Sequence, residues 1–174
     1  MVIAMEINIF TSEYNTQILN QNNSKLTDIY YPCLVTNWEI SYQSFLKKPR
    51  TQKRIIFTNL IKGDSSFGNK NPTSHTLTVE NHTVMTATIT DQEARAKAKE
   101  MLRRYFIHHV RVWSVPKINC LSENIIYFPY TVLSSKGSQK KQSKLILYEP
   151  ASNLTDKLEN FPEIERFYQF QQRG

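Results

Sequence analysis

Two copies of one short motif constrain the fold of this chain more than any other feature. Residues 29–32 read IYYP, and residues 126–129 read IYFP. Each copy leads into an extended stretch, then a polar basic loop, and then a second apolar run, IIF at residues 55–57 and LIL at residues 145–147. A sequence order that recurs in this way is the signature of a repeated structural unit.

A turn residue closes each copy. Eight positions beyond the start of the second run stand Gly63 and Asn153, the residue types that most readily adopt the left-handed backbone conformation. The ordered set of features predicts a duplicated unit of strand, loop and strand, over about residues 26–63 and 90–153. The alternative is two ordinary hairpins built from residues that are common in strands.

The segment between the two copies predicts a helix. Thr90 and Glu93 have the spacing of a capping box, in which each residue accepts a hydrogen bond from the backbone amide of the other. Apolar residues then recur at helical spacing, with i, i+4 pairs of acid and base on the polar face. We therefore expect a helix over residues 90–105. The β-branched and aromatic residues 106–114 predict an extended segment after it.

Weaker patterns indicate the remaining N-terminal elements. Residues 6–10 alternate as a short strand, and the polar, Asn-rich residues 11–26 are compatible with one helix. Residues 62–74 have the Gly, Pro, Ser and Asn content of a loop. Residues 77–89 are readable as a strand pair or as one bent strand.

Together these elements predict an α+β fold in which residues 1–174 form a single domain. An antiparallel curved sheet from two related hairpin units is packed by the central helix and by a C-terminal helix. The second helix belongs to a helical tail at residues 154–174, where Pro162 stands at a position typical of a first helical turn.

The element order resembles that of the PepSY and cystatin type of αβ unit. The features that carry the resemblance are a helix, a strand and a hairpin whose last strand ends in a turn residue, duplicated with an aromatic-Pro motif. The resemblance implies a small non-catalytic module for binding, inhibition or regulation. It implies no particular functional residue.

Several classes of chemistry lack their sequence motifs. The four histidines include no His-x-x-x-His, there is no Cys-x-x-Cys, and the four glycines form no nucleotide-binding loop. We therefore predict a non-enzymatic protein with no cofactor, no metal and no catalytic residue. Cys33 and Cys120 are interpreted as buried, reduced thiols. The alternatives are a disulfide between them, or a nucleophile formed by either of them with His108 or His109.

The positive charge is unevenly distributed. Lysine and arginine outnumber aspartate and glutamate by 22 to 15, which gives a net charge of +7. The basic loops of the two copies contain no acid, and an i, i+4, i+8 stripe on the predicted helix adds further cations. The candidate residues for binding an anion or a partner are Lys47, Lys48, Arg50, Lys53, Arg54, Lys136, Lys140, Lys141, Lys144, Arg95, Lys99, Arg103 and Trp113. Alternatively, the loop lysines are solvated hairpin tips that keep the sheet from aggregating.

Two functions fit these features. The first is a small binding or regulatory module of a bacterial type that contacts a protein or peptide through its sheet or an exposed edge. The second is a nucleic-acid-binding accessory protein whose two basic hairpin loops clamp an extended polyanion. The chain shows neither a secretory signal pattern nor an apolar run long enough to cross a bilayer, so we expect a cytoplasmic protein.

Overall fold

The computed structural model describes residues 3–11, 23–44, 47–112, 114–135 and 144–173. Within these ranges the chain forms eight β-strands and two α-helices. In chain order they are β1 (Ala4–Phe10), β2 (Asn23–Tyr42), β3 (Arg50–Asn59), β4 (Ser65–Gly68), β5 (Ser74–Glu80), α1 (Asp91–Tyr105), β6 (Lys117–Ser135), β7 (Lys144–Glu149), β8 (Leu154–Lys157) and α2 (Pro162–Gln171).

The described strands belong to one mixed sheet. Its order is β4-β3-β2-β6-β1-β5, with β7 paired to β6 and β8 paired to β7. The pairs β2–β3, β3–β4, β6–β7, β7–β8 and β1–β5 are antiparallel, whereas β1 runs parallel to β6 where Ile9 lies opposite Tyr127. The predicted α+β fold, with a curved sheet and two helices, is confirmed. The sheet is mixed rather than wholly antiparallel.

The chain divides into two units. The α1 unit contains Pro32–Asn71 and Ala87–Ile126, and includes helix α1. The α2 unit contains Met1–Tyr31, Pro72–Thr86 and Tyr127–Gly174, and includes helix α2. Strands β2 and β6 are long enough to contribute residues to both units.

The core of the α1 unit forms between α1 and one face of its strands. Trp38, Ile40 and Tyr42 alternate along β2, so their side chains lie on the same face of the sheet. An apolar stripe of α1 packs on that face and holds the helix there. The buried residues of this cluster are Trp38, Ile40, Tyr42, Ile56, Ala98, Leu102, Phe106 and Ile118.

A capping box begins α1, as the sequence predicts. Thr90 Oγ1 accepts a hydrogen bond from the Glu93 backbone N–H at 3.2 Å, and Glu93 Oε2 accepts one from the Thr90 backbone N–H at 2.8 Å. These bonds satisfy two amides that have no acceptor within the helix. The Thr90 amide, and after it the Thr90 hydroxyl, lower the pKa of Glu93 because both donate to its charged carboxylate.

The prediction of an extended segment over residues 106–114 is wrong. Phe106–Val110 continue the helix as a π-helical turn, which ends at Arg111 with a left-handed φ of 56°. Phe106 is fully buried one turn beyond Leu102 on the apolar stripe. Packing on the core therefore outweighs the β-propensity of this segment.

The α2 unit has a core of its own. β1 and β5 pair antiparallel, and β6, β7 and β8 form a second antiparallel ladder. Side chains of β1 and β5 meet Tyr30 of β2 and the segment after β5. The buried residues of this cluster are Ile7, Ile9, Tyr30, Val79 and Val84.

The C-terminal tail is a strand followed by a helix. Residues Leu154–Lys157 form β8, so the prediction of helical structure is wrong for this part of the tail. Pro162 occupies the first turn of α2, as predicted, because a residue without an N–H fits a position that has no helical acceptor. The helix buries Ile164 and Tyr168, while Phe170 is 78% exposed.

Three weaker predictions need correction. Residues 23–26 belong to β2 and not to a helix, and residues 12–22 lie outside the described part of the chain. The predicted loop at residues 62–74 contains β4, whose four residues, SSFG, are too few to show a strand pattern and which forms by pairing with β3. Of residues 77–89, only those in β5 are extended as a strand, and a 3-10 turn at Asn81–Thr83 follows them.

The two predicted copies follow one order of elements. The first runs through β2, β3 and β4 and turns at Gly63, and the second runs through β6, β7 and β8 and turns at Asn153. Both turn residues have a left-handed backbone, with φ of 77° and 56°. The motifs at residues 29–32 and 126–129 mark the points where the long strands pass from one unit into the other. The duplication and the single-domain organisation stay predictions.

The capping box gives a direct test of the start of α1. Thr90→Ala leaves the Glu93 amide without an acceptor, and we expect it to lower the free energy of unfolding by about 1 kcal/mol in urea denaturation. Thr90→Ser keeps the hydroxyl and should retain most of that stability. Equal stability of the alanine variant and the natural protein would show that the box does not stabilise this helix.

The same box predicts a pH dependence. The pKa of Glu93 is lower in the folded protein than in the unfolded chain, so the stabilisation is fully present above the unfolded value. It is lost as the pH falls through the lowered pKa, because the protonated carboxyl no longer favours the folded state. The free energies of unfolding of the natural protein and of Glu93→Gln, measured as a function of pH, should therefore converge in acid.

Candidate functional site

The N-terminal half of β6 forms an exposed edge of the α1 unit, which we call the β6 edge (residues 117–126). The pairings of β6 with β1 and β7 involve only residues from Tyr127 onward. In the part of the chain that the structure describes, no strand pairs with the β6 edge on the side away from β2. Six consecutive residues, 119–124, are exposed. Within the described ranges, the backbone N–H and C=O groups of this segment that point away from β2 therefore have no strand partner, as at the edge of a sheet.

Two contacts position the β6 edge in its unit. Asn37 Nδ2 on β2 donates to Ser122 Oγ at 3.0 Å. Ile118 is buried in the core cluster with Trp38, whereas Leu121 is 51% exposed. The strand is thus anchored on the α1 unit and presents backbone and side chains to solvent.

A cleft of about 370 Å³ lies between α1 and the β6 edge, and we call it the β6 cleft. Its floor contains the buried side chains of Trp38 and Ile118, and the methyl group of Ala96 lines one wall. Polar groups from both elements surround this apolar surface. The remaining lining residues are Gln92, Arg95, Lys99, Asn119 and Cys120. An apolar floor with a few polar groups is typical of a binding site.

Hydrogen bonds fix Trp38 at the floor of the cleft. Its indole Nε1–H donates to Thr36 Oγ1 at 2.7 Å, and the Thr36 hydroxyl donates to the Ile56 carbonyl at 3.3 Å. Thr36 and Trp38 lie two residues apart on β2 and therefore share a face of the sheet. Because these buried polar groups have partners, the ring is held in one orientation.

A bidentate ion pair joins α1 to the β6 edge beside the cleft. Arg95 Nε lies 2.9 Å from Glu123 Oε2, and Arg95 Nη2 donates to Glu123 Oε1 at 3.0 Å. The planar guanidinium matches the two carboxylate oxygens, so the pair has geometric as well as electrostatic specificity. The charge of Arg95 is therefore balanced within the protein.

Lys99 is the cation at the cleft whose charge is not balanced in this way. It lies one turn beyond Arg95 on α1, and its side chain is exposed. It makes no ion pair or hydrogen bond with any residue that the structure describes. The cleft thus combines an apolar floor with the ammonium group of Lys99, which has no partner within the described ranges.

The predicted basic loop of the first copy is smaller than the sequence indicates. Lys47 and Lys48 lie in the connection between β2 and β3 and are exposed. Arg50, Lys53 and Arg54 do not lie in that loop, because β3 already begins at Arg50. The strand extends this far because the ladder with β2 continues to the pair Tyr42 and Arg50.

Two cations of β3, Lys53 and Arg54, have neighbours within the hairpin. The half-buried Arg54 donates from Nη2 to Gln52 Oε1 at 2.9 Å, and Gln52 in turn donates to the Tyr42 hydroxyl at 2.6 Å. Lys53 lies directly opposite Glu39 in the register of β2 and β3. Arg54 and Lys53 thus lie within the paired part of the hairpin and not in its connecting loop.

Most of the predicted residues of the second basic loop lie outside the described part of the chain. Lys136, Lys140, Lys141 and Trp113 lie outside the described residues, and Lys144 is the first residue of β7. On α1, Arg103 pairs with Glu100 at 3.4 Å. The structure brings Arg95 and Lys99 together at the β6 cleft, and the two-loop clamp stays a prediction.

A second open groove, of about 550 Å³, lies on the other side of α1. It is lined by the β3–β4 turn at Gly63, Asp64 and Ser65, and by α1 residues that include Lys97 and Glu100. Glu100 accepts from Arg104 at 2.9 Å, and this bond, with the charge of neighbouring Arg103, lowers the pKa of the Glu100 carboxyl. The charged residues that line this groove, Asp64, Lys97, Glu100 and Arg104, carry two negative and two positive charges, so it offers a ligand less unbalanced charge than the β6 cleft.

The two thiols differ in environment. Burial raises the pKa of Cys33 to about 12, which opposes formation of a thiolate. The prediction of burial is wrong for Cys120, which is exposed at the β6 cleft because it lies among the exposed residues 119–124 of β6. Partial burial, followed by the charge of Glu123, also raises the pKa of Cys120. Within the described residues, no group of three His, Cys, Asp or Glu side chains is placed to hold a metal ion.

The sequence predictions missed most of the cleft. Arg95 and Lys99 were among the predicted residues, but Trp38, Ile118 and Glu123 were not. The available signal was the alternation along β2 that places Trp38 on the core face. The sequence of β6 gave only a weak indication of a strand, because residues 117–125 mix polar and apolar side chains without regular alternation.

No family model, curated protein or solved structure matches this chain. The resemblance to PepSY and cystatin αβ units therefore stays a prediction. In the part of the chain that the structure describes, no helix has the length and apolar character needed to span a membrane.

Thiol titration tests the assigned environments. We expect the folded protein to react rapidly with Ellman's reagent at one thiol, Cys120, and at two thiols after unfolding in guanidinium chloride. Cys120→Ser should abolish the rapid reaction and leave the unfolded protein with a single reactive group. Rapid reaction of both thiols in the folded state would contradict the burial of Cys33.

Proposed function

We propose that this protein binds an extended segment of a partner protein, which adds a strand to the β6 edge. The observation that carries the proposal is the exposure of residues 119–124 beside the β6 cleft. In such strand addition, backbone hydrogen bonds supply affinity and pockets beside the strand select side chains. The α1 unit offers both features within one surface.

The composition of the β6 edge supports this role. Exposed edges are usually protected from pairing by lysine, by proline or by very short strands. Residues 119–124 read NCLSEN, with neither lysine nor proline. The lysine of the β6 edge, Lys117, stands at its first position, and Pro116 lies before the strand begins. Leu121 adds an exposed apolar side chain that a partner strand can cover.

The geometry of the floor supports a binding role as well. A site that selects a side chain must be preformed, because ordering flexible groups on binding reduces affinity. Trp38 is already fixed through Thr36, and Arg95 is fixed through Glu123. The proposed binding therefore requires little rearrangement of the protein.

Nucleic-acid binding through the basic loops is the alternative function. It rests on Lys47 and Lys48 in the first loop and on predicted residues of the second. Elution from heparin distinguishes the two functions, because release of many counterions gives a steep dependence of binding on salt. Elution at low salt agrees with the peptide proposal, and retention to high salt favours nucleic acid.

The test uses short capped peptides of alternating threonine and valine, with one central position set to glutamate, glutamine or lysine. Titration of the isotopically labelled protein, up to millimolar peptide, is followed through backbone amide shifts. We expect shifts centred on residues 117–126 and on the face of α1 that lines the cleft, with a dissociation constant in the micromolar to millimolar range. If no peptide of the set perturbs these amides at millimolar concentration, the proposed function is wrong.

Alkylation of Cys120 supplies a matched control. N-ethylmaleimide places a bulky group in the β6 cleft, so the modified protein should bind the peptides at least about tenfold more weakly. Cys120→Ser treated with the same reagent should bind like the untreated protein. Equal binding by the alkylated and untreated proteins would show that the peptides do not occupy this cleft.

A further inference from the structure

We infer that the β6 cleft selects a strand with an acidic side chain, Asp or Glu, at the position that faces Lys99. This inference rests on the proposed function, and it adds the chemical class of the partner segment. Its basis is the charge arrangement at the cleft. Arg95 is neutralised by Glu123, whereas Lys99 has no partner among the residues that the structure describes.

The surroundings of Lys99 favour an ion pair with a ligand. The buried Trp38 and Ile118 form an apolar floor, and a bound strand would remove water from the opposite side. Charges interact more strongly in such a partly desolvated site than on an open surface. A lysine in the same position of the ligand would be repelled by Lys99, and Glu123 is already committed to Arg95.

The shape of the cleft suits the same side chains. The methylene groups of Glu or Asp would lie against Trp38 and the methyl group of Ala96. The carboxylate would then reach the rim, where Lys99 supplies an ammonium group and Gln92 supplies amide N–H donors. Apolar contact and charge pairing thus act on different parts of one side chain.

Charge also argues against a second copy of this chain as the occupant. Each copy has a net charge of +7, and pairing two β6 edges would bring both Lys99 side chains to one interface. Such like charges oppose association. A separate partner with an acidic segment meets no such repulsion.

The experiment measures the dissociation constants of the glutamate, glutamine and lysine peptides for the natural protein and for two variants. For the natural protein we expect the glutamate peptide to bind about fivefold more tightly than the glutamine peptide, and the lysine peptide to bind most weakly. Lys99→Gln should remove the preference for glutamate. Lys97→Gln is the matched control, because Lys97 also lies on α1 but lines the other groove. Both changes preserve helix propensity.

Charge exchange and salt give two further readouts. Lys99→Glu should reverse the preference, so that the lysine peptide binds more tightly than the glutamate peptide. Raising the salt concentration to about 0.5 M should weaken binding of the glutamate peptide but hardly change that of the glutamine peptide.

The outcomes separate this inference from the proposed function. Equal binding of all three peptides at the β6 edge would overturn acid selection and leave strand addition standing. Absence of any binding would overturn both. A preference for glutamate that persists in Lys99→Gln would also overturn the inference, because another group would then supply the charge. Concentration-dependent dimerisation in sedimentation, without peptide binding, would assign the edge to a second copy.

Discussion

The packing of α1 on β2 is the interaction on which the rest of the α1 unit depends. Ala98, Leu102 and Phe106 form one stripe of the helix and meet the alternating side chains Trp38 and Ile40. Burial of each large side chain contributes roughly 2 kcal/mol. The chain continues beyond α1 as a π-helical turn at Phe106–Val110, because this conformation buries Phe106 on the same stripe.

This packing also places the candidate site. Gln92, Ala96 and Lys99 follow one another at helical spacing on the side of α1 next to the buried stripe, so they line the gap between the helix and the β6 edge. Ala96 is exposed, and it lines this cleft as well as the groove on the other side of α1. Arg95 then ties the helix to Glu123 across the same gap. The core contact and the cleft are therefore both consequences of one helix position.

Local signals in the sequence predicted the parts of this structure that depend on neighbouring residues. The Thr90 capping box, the helix start at Pro162 and the turn residues Gly63 and Asn153 each reflect a preference of a few residues, and each is found as predicted. The π-helical turn at Phe106 depends on a distant core, and it was predicted as a strand. Long-range packing decides such segments against their local propensity.

The candidate site likewise has features that depend on neighbouring residues and features that depend on long-range contacts. The basic stripe of α1 was visible in the sequence because Arg95 and Lys99 have helical spacing. The roles of the two residues were not, since only the folded chain brings Glu123 to Arg95 and leaves Lys99 without a partner among the residues that the structure describes.

The central claim is that the β6 edge is open, and hydrogen exchange of its backbone amides in the free protein tests it most directly. An edge strand predicts alternation over residues 117–126, with slow exchange of amides bonded to β2 and fast exchange of those pointing away. Uniformly slow exchange would contradict the account, because it would mean that a strand already covers this edge.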